Sequence, residues 1–289
     1  MFIKTSDTES IQPFLKKLYT PKPDSHKGQN GKVLIIGGSS LFHAASIWAA
    51  EIASYFVDMV HYSSTKENNA IFLALKKKFH NGIVVAQKDI MEYVKEDDAV
   101  LVGPGMLRGE DKEAQYTKRL VQQLISKFPT KRLVFDAGAL QTMNPDWLKE
   151  LKQPAIITPQ VREFEKLFSI SLQNKSREDK VQIVKEKARE YKTVILLKTV
   201  FDIVSNGEET FIIEGGNAGL TKGGTGDILA GITVCLYAKN KPVLAAVVAS
   251  YVLKKTAEVL SLRQGYWYNI RTIIEELPKT LVDLSRKDI

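Results

Sequence analysis

Apolar residues along this chain fall into short blocks separated by longer amphipathic stretches. KVLIIGG, from Lys32 to Gly38, is a short apolar run closed by glycines, the pattern of a buried strand. Helical spacing follows over 43–56, and further apolar runs stand at 59–62, 83–86, 99–102, 133–135 and 155–157. Helical patterns, notably 111–128, separate most of them. Strands without polar alternation, interleaved with helices, predict a parallel sheet covered on both faces, with ligands at the carboxyl ends of the strands. The expected fold class is therefore α/β.

The rhythm changes after TVILLK. FDIVSNGEETFIIEG places two strand-like runs around Asn206-Gly207, the pair favoured in a type I′ turn, so an antiparallel extension is predicted. The stretch GGNAGLTKGGTGDILAG, Gly215 to Gly231, comes next. Helices over 228–237 and roughly 243–262 follow, apolar all round and so expected inside the protein. Without a repeat, low-complexity tract or linker, 1–25 read as a polar, proline-marked lead and 26–289 as a single domain.

Composition narrows the function classes. The chain has 289 residues, 44% hydrophobic and 26% charged, an ordinary globular balance, and a net charge of +8. Anionic partners fit that charge, but Lys76-Lys77-Lys78 and Lys254-Lys255 are short runs within helical patterns, as on a solvated surface. No aromatic-plus-basic RNA motif is present, so a nucleic-acid partner is not expected. The single cysteine, Cys235, excludes a disulfide framework and reads as a buried thiol among Leu229, Ile232 and Leu236. His26, His43, His61 and His80 lack metal-ligand spacing, and no serine sits in a G-x-S-x-G elbow. No run reaches the roughly 18 apolar residues of a membrane span and the amino terminus lacks a secretory pattern, so a cytoplasmic protein without a membrane partner is expected.

Candidate chemistry concentrates in the glycine-rich stretch. Gly223, Gly224 and Gly226 crowd one turn before an apolar helix, where bare amides and the helix amino terminus attract phosphate oxygens. The stretch is not a P-loop, whose lysine follows the last glycine, nor a dinucleotide fingerprint; GPGMLRG, 103–109, has the wrong glycine spacing and reads as a tight turn. Asp227 suits a helix cap, yet a cap needs no run of glycines. Phosphoryl transfer needs both, with amides for the moving group and a carboxylate for the attacking hydroxyl's proton. The helix dipole is expected to keep that carboxylate ionised.

HKGQNGKVLIIGG, GPGM, VFDAGAL, ITPQVREFEKL, LLK and GNAGLTKGGTGDILAGI stand in the order and spacing of the ADP/ATP-dependent NAD(P)H-hydrate dehydratases, which the chain resembles from His26 to about Leu281. The resemblance implies a ribokinase-like three-layer sandwich, with a mainly parallel sheet, helices on both faces and a C-terminal antiparallel extension. It also implies a hydro-lyase that phosphorylates the C6 hydroxyl of NAD(P)H hydrate from ADP or ATP, eliminates phosphate and restores NAD(P)H. A small-molecule kinase of the same superfamily, acting on a vitamin precursor alcohol or a sugar, is the alternative. By resemblance the catalytic set is Asp227 with Gly224, Thr225 and Gly226; Lys198, Thr199, Val200, Phe201, Asp202, Asn217 and Gly226 meet the nucleotide; Ala44, Gly105, Gln160 and Asp227 meet the substrate. Mg²⁺ is expected without direct protein ligands, through water near Asp136 and Glu163, and a homotetramer is implied.

The chain departs from the family pattern at His43-Ala44 (glycine-alanine), at Gly138 of Asp136-Ala137-Gly138 (aspartate), at TPQVRE (TPHPGE) and at Thr199 (glycine). Most departures fall on the substrate side. His43 either compensates for the histidine replaced by Gln160 or marks a different substrate. His26 and Lys27 have two readings, a loop folded over a bound anion or solvated residues. Tyr266, Trp267 and Tyr268 likewise read as packing or as a platform for a nucleobase.

Overall fold

A computed structural model describes residues 1–77 and 81–286; Lys78 and His80 lie outside the described residues. Its strands are β1 (Phe2–Lys4), β2 (Lys32–Ile36), β3 (Met59–Ser63), β4 (Ile83–Val84), β5 (Ala99–Val102), β6 (Arg132–Phe135), β7 (Ile156–Ile157), β8 (Val194–Leu197), β9 (Asp202–Ser205) and β10 (Thr210–Glu214). The helices are α1 (Gln12–Leu15), α2 (Ala44–Ala53), α3 (Lys66–Leu75), α4 (Ile90–Glu96), α5 (Lys112–Lys127) and α6 (Ala137–Thr142). After them come α7 (Val161–Phe168), α8 (Arg177–Glu190), α9 (Thr225–Lys239), α10 (Pro242–Gln264) and α11 (Ile270–Ser285).

All ten strands join one sheet in the order β1-β10-β9-β8-β7-β6-β5-β2-β3-β4. Strands β2 to β8 run parallel, whereas β9 is antiparallel to both β8 and β10. Each central strand buries both faces. Val33 and Ile35 pack with α2, α9 and α10, while Leu34 and Ile36 pack with α4 and α5. This double burial is the reason the strand sequences show no polar alternation.

Two details differ from the sequence reading. The lead contributes β1, which pairs parallel to β10 at the sheet edge, Phe2 opposite Ile212 and Lys4 opposite Glu214. The hairpin does not turn as type I′, which needs positive φ at both central residues. Asn206 to Glu209 form the loop, only Gly207 has positive φ (90°), and Asn206 Oδ1 accepts from the amides of Glu208 and Glu209 at 2.9 and 2.8 Å. The asparagine side chain thus holds the loop by mimicking backbone.

From β2 the chain moves outward to β3 and β4, then returns to place β5 on the other side of β2. The crevice at the carboxyl ends of β2 and β5 is therefore the switch point where a doubly wound sheet receives ligand. Helix α9 packs beneath β2, β5 and β6, and aims its amino terminus at that end. Gly231, the last glycine of the motif, serves this packing, because a Cβ there would meet Ile52 Cγ2 at 2.7 Å and the Ala49 carbonyl at 2.8 Å on α2.

Candidate active site

Helix α9 starts at Thr225, and its N-cap is Gly224 in the left-handed region at φ 106°. A side chain at 224 would also strike Trp48 and Ile270, within 2.7 Å. The turn is secured by Thr225, whose hydroxyl donates to the carbonyls of Leu220 (2.8 Å) and Lys222 (3.0 Å). Thr225 therefore shapes the loop through its side chain. The amides of Gly226 and Asp227 have no acceptor among the described residues and stand at the positive end of a 15-residue helix.

Facing them is a cluster of three carboxylates and one ammonium, drawn from four elements. Asp136 follows β6, Glu163 lies in the first turn of α7, Lys198 follows β8 and Asp227 lies in the first turn of α9. Lys198 Nζ donates to Asp136 Oδ1 at 2.7 Å, and Thr158 Oγ1 donates to the same oxygen at 2.8 Å. Glu163 accepts from the Gln160 amide and from Gln141 Nε2, both at 2.9 Å. A parallel bridge between Gln160 and Lys198 extends the β7–β8 pairing and fixes the lysine there.

Charge balance in this cluster shifts the titrations. Burial, then the Asp136 charge and the Glu163 charge, push Asp227 up to about 7 against the pull of Lys198. This corrects the expectation that the helix dipole keeps Asp227 a weak base: burial and two like charges outweigh the dipole. Burial and Asp136 also raise Glu163. For Lys198, burial opposes the charge, but Asp136 and Glu163 outweigh it and its pKa rises.

Two cavities meet at this point. One, of about 480 Å³, is lined by Lys198, Thr199, Val200, Asp202, Asn217, Thr225 and Gly226, and also by Lys254. The other, of about 410 Å³, is lined by Phe42, Ala45, Gly105, Arg108, Gly138, Gln141 and Asp227. Consecutive residues thus serve different cavities: Gly226 the first, Asp227 the second.

The remaining predicted residues are placed as follows. Phe201 lies outside the first cavity, under the Arg177 guanidinium at 4.4 Å. Asp202 is buried and engaged, accepting from Ser250 (2.7 Å) and the Thr199 amide (3.0 Å), with Lys254 Nζ at 3.6 Å. Asn217 accepts from Tyr268 Oη (2.6 Å) and the Gly219 amide (2.9 Å), so it shapes the cavity wall. Ala44 and Gln160 do not line the second cavity; Ala45 does, and Gln160 is exposed. His43 Nδ1 is held by Asn68 Oδ1 at 2.5 Å and does not stand in for a histidine at 160. His26 and Lys27 are exposed, in a loop tied through Gly28 to Asp58 at the amino end of β3, away from both cavities. Tyr268 is buried, whereas Trp267 is 90% exposed. Gln141 and Arg108 were not singled out by sequence, and Lys254, expected on a solvated surface, is instead buried on the inward side of α10, where it lines the first cavity.

These features define a ribokinase-like fold, and the comparisons agree. The crystal structure of ADP/ATP-dependent NAD(P)H-hydrate dehydratase from Bacillus subtilis, co-crystallised with ATP and Mg²⁺, superposes with a TM-score of 0.80 at 21% identity, covering 96% of this chain and 97% of that one. The NAD(P)H-hydrate dehydratase family profile matches residues 33–279, and the chain belongs to that family. The ADP-dependent (S)-NAD(P)H-hydrate dehydratase of Nitrosopumilus maritimus is 30% identical over 287 residues, 95% of each chain. The bifunctional NAD(P)H-hydrate repair enzyme Nnr of Methanocaldococcus jannaschii is 34% identical over 275 residues, 92% of this chain; the chain spans about half of that relative's length, 51%. Among the described residues no helix is long and apolar enough to cross a membrane.

Proposed function

We propose that the protein is an ADP- or ATP-dependent hydro-lyase that converts NADH hydrate or NADPH hydrate to the intact dinucleotide. The observation that carries this reading is Asp227, a carboxylate with its pKa at about 7 in one cavity, adjoining the amide of Gly226 in the other. The nucleotide occupies the Lys198–Gly226 cavity with its terminal phosphoryl group on the amides of Gly226 and Asp227 and the ammonium of Lys198. The hydrate enters the second cavity, and Asp227 takes the proton of its C6 hydroxyl as that oxygen attacks the terminal phosphorus, whose bond to the bridging oxygen breaks and releases AMP from ADP or ADP from ATP. The C6–O bond of the resulting phosphate ester then breaks, assisted by the ring nitrogen, and a proton leaves C5. NAD(P)H and inorganic phosphate remain.

The donor set suits Mg²⁺ brought in by the nucleotide. Three carboxylates surround one ammonium, and the raised pKa values of Glu163 and Asp227 register that shortage of positive charge. Among the described residues no group of three or more acidic, histidine or cysteine side chains is arranged to hold a metal directly. A hydrated ion beside Asp136 and Glu163, neutralising phosphate oxygens, fits both facts. The reading also includes one catalytic domain, to which the lead adds β1 and the buried Ile3, Ile11 and Leu15, a cytoplasmic location and a homotetramer, the last checked by light scattering.

The test is to incubate the protein with NADH hydrate and ADP or ATP and follow NADH absorbance. We expect recovery whose rate rises with pH to a plateau, with an inflection near the Asp227 value of about 7, because only the ionised carboxyl accepts the proton. No recovery with either nucleotide would refute the reading. Arg108, exposed at the second cavity and donating to Gln141 Oε1 at 2.9 Å, is placed to meet the diphosphate of the dinucleotide. Arg108→Ala should raise KM for the hydrate by about tenfold with kcat nearly unchanged, since an ionic hydrogen bond present in both ground and transition states is lost.

A further inference from the structure

A third cavity, of about 240 Å³, opens at the carboxyl ends of β2 and β3 and has no role in the chemistry above. It shares Met106 and Leu107 with the acceptor cavity, so the two adjoin at one backbone segment. We propose that it is a phosphate-monoester subsite for the acceptor, receiving the 2′-phosphate that distinguishes NADPH hydrate from NADH hydrate. The proposal rests on the dehydratase reading for its substrate.

Three observations converge. Lys66 and Lys112 line the cavity, each the first residue of a helix, α3 and α5. Their caps, Thr65 and Asp111, accept from the amides of Asn68 and Ala114, whereas the amides of Lys66 and Lys112 have no acceptor among the described residues. Two helix amino termini and two ammonium groups therefore border one small space, a strongly anion-selective setting. The acid in the lining, Glu113, is engaged by the Ser40 amide at 3.1 Å.

The third observation is Ser63. Its residue is fully buried, and its hydroxyl is one of the few buried side-chain polar atoms without a hydrogen-bond partner. Alternation along β3 puts it on the face opposite Tyr62, and Ile36, its partner on β2, lines the same cavity. A buried hydroxyl without a partner is costly and calls for a ligand atom. A phosphate monoester supplies acceptor oxygens for the serine, the amides and both lysines. The proposed substrate carries such a group in only one of its two forms.

Binding at this subsite can be measured without turnover. With the nucleotide cavity saturated by ADP, calorimetry should show adenosine 2′,5′-bisphosphate binding at least about tenfold tighter than 5′-AMP, a difference that Lys66→Ala/Lys112→Ala removes. The same double variant should raise KM for NADPH hydrate by about tenfold and leave NADH hydrate unchanged. Equal binding of the two probes, or a difference that survives the double variant, overturns the subsite. Inorganic phosphate binding as tightly as the bisphosphate would make this a free-phosphate site and also overturn it. If neither hydrate is turned over but the probe difference holds and is lysine-dependent, the dehydratase reading falls and the anion subsite stands.

Discussion

Asp227→Asn is expected to lower kcat by about 10²- to 10⁴-fold, the usual contribution of a general base, while ADP or ATP affinity changes little. The affinity should persist because the nucleotide cavity is lined by Gly226, Lys198 and Thr225, while the Asp227 side chain faces the other cavity. A stability measurement separates loss of chemistry from loss of fold. The Asp227 pKa is raised from the ordinary 3.8 to about 7, so the folded protein binds the proton more tightly than the unfolded chain. Its stabilising contribution is full at low pH and is lost as pH rises from about 4 to about 7. The asparagine variant, never charged, should melt no lower than the native protein at about pH 8, and its advantage should shrink in acid. Retained turnover would assign the chemistry elsewhere; a depressed melting temperature at high pH would make the effect structural.

Lys198→Met is expected to destabilise the fold by about 3–5 kcal/mol, since removing one member of a buried ion pair leaves the other charge uncompensated. The side chains of Lys198 and Asp136 are only 13% and 2% exposed, so water screens them little. Denaturant melts at about pH 7 and about pH 5 provide the check. The deficit should narrow in acid, because Glu163 and Asp227, already raised, take up protons and reduce the repulsion. Nucleotide affinity should fall by more than tenfold as the cavity loses the lysine nearest the glycine-rich turn. A loss of stability below about 1 kcal/mol at both pH values would mean that the cluster does not depend on its ammonium.

Much of the architecture could be read from the chain because its strands are buried on both sides. The run at 99–102 matches β5, and the pattern at 111–128 encloses α5 with Asp111 as its N-cap. Strand β1 escaped notice, since three residues in a polar lead carry no period and their partner lies more than 200 residues away. Local sequence pointed to the glycines and Asp227 but not to how far the aspartate's pKa is raised. That property is set first by burial and then by Asp136 and Glu163, which arrive from β6 and α7 only once the chain has folded. Helix rotation explains Ala45: successive residues differ by about 100° around the axis, so its neighbour Ala44 leaves the lining. A single position along α2 decides which side chain meets the cavity.

A partition one peptide wide, between Gly226 and Asp227, has a consequence for evolutionary drift. Because Gly226 and Asp227 line separate cavities, a substitution that reshapes one cavity need not disturb the other. Gly138 lines the second cavity with Asp227, while Thr225 and Gly226 of the glycine-rich turn line the first. On the proposed reading, the acceptor cavity can change shape while the phosphoryl-donor cavity keeps its own.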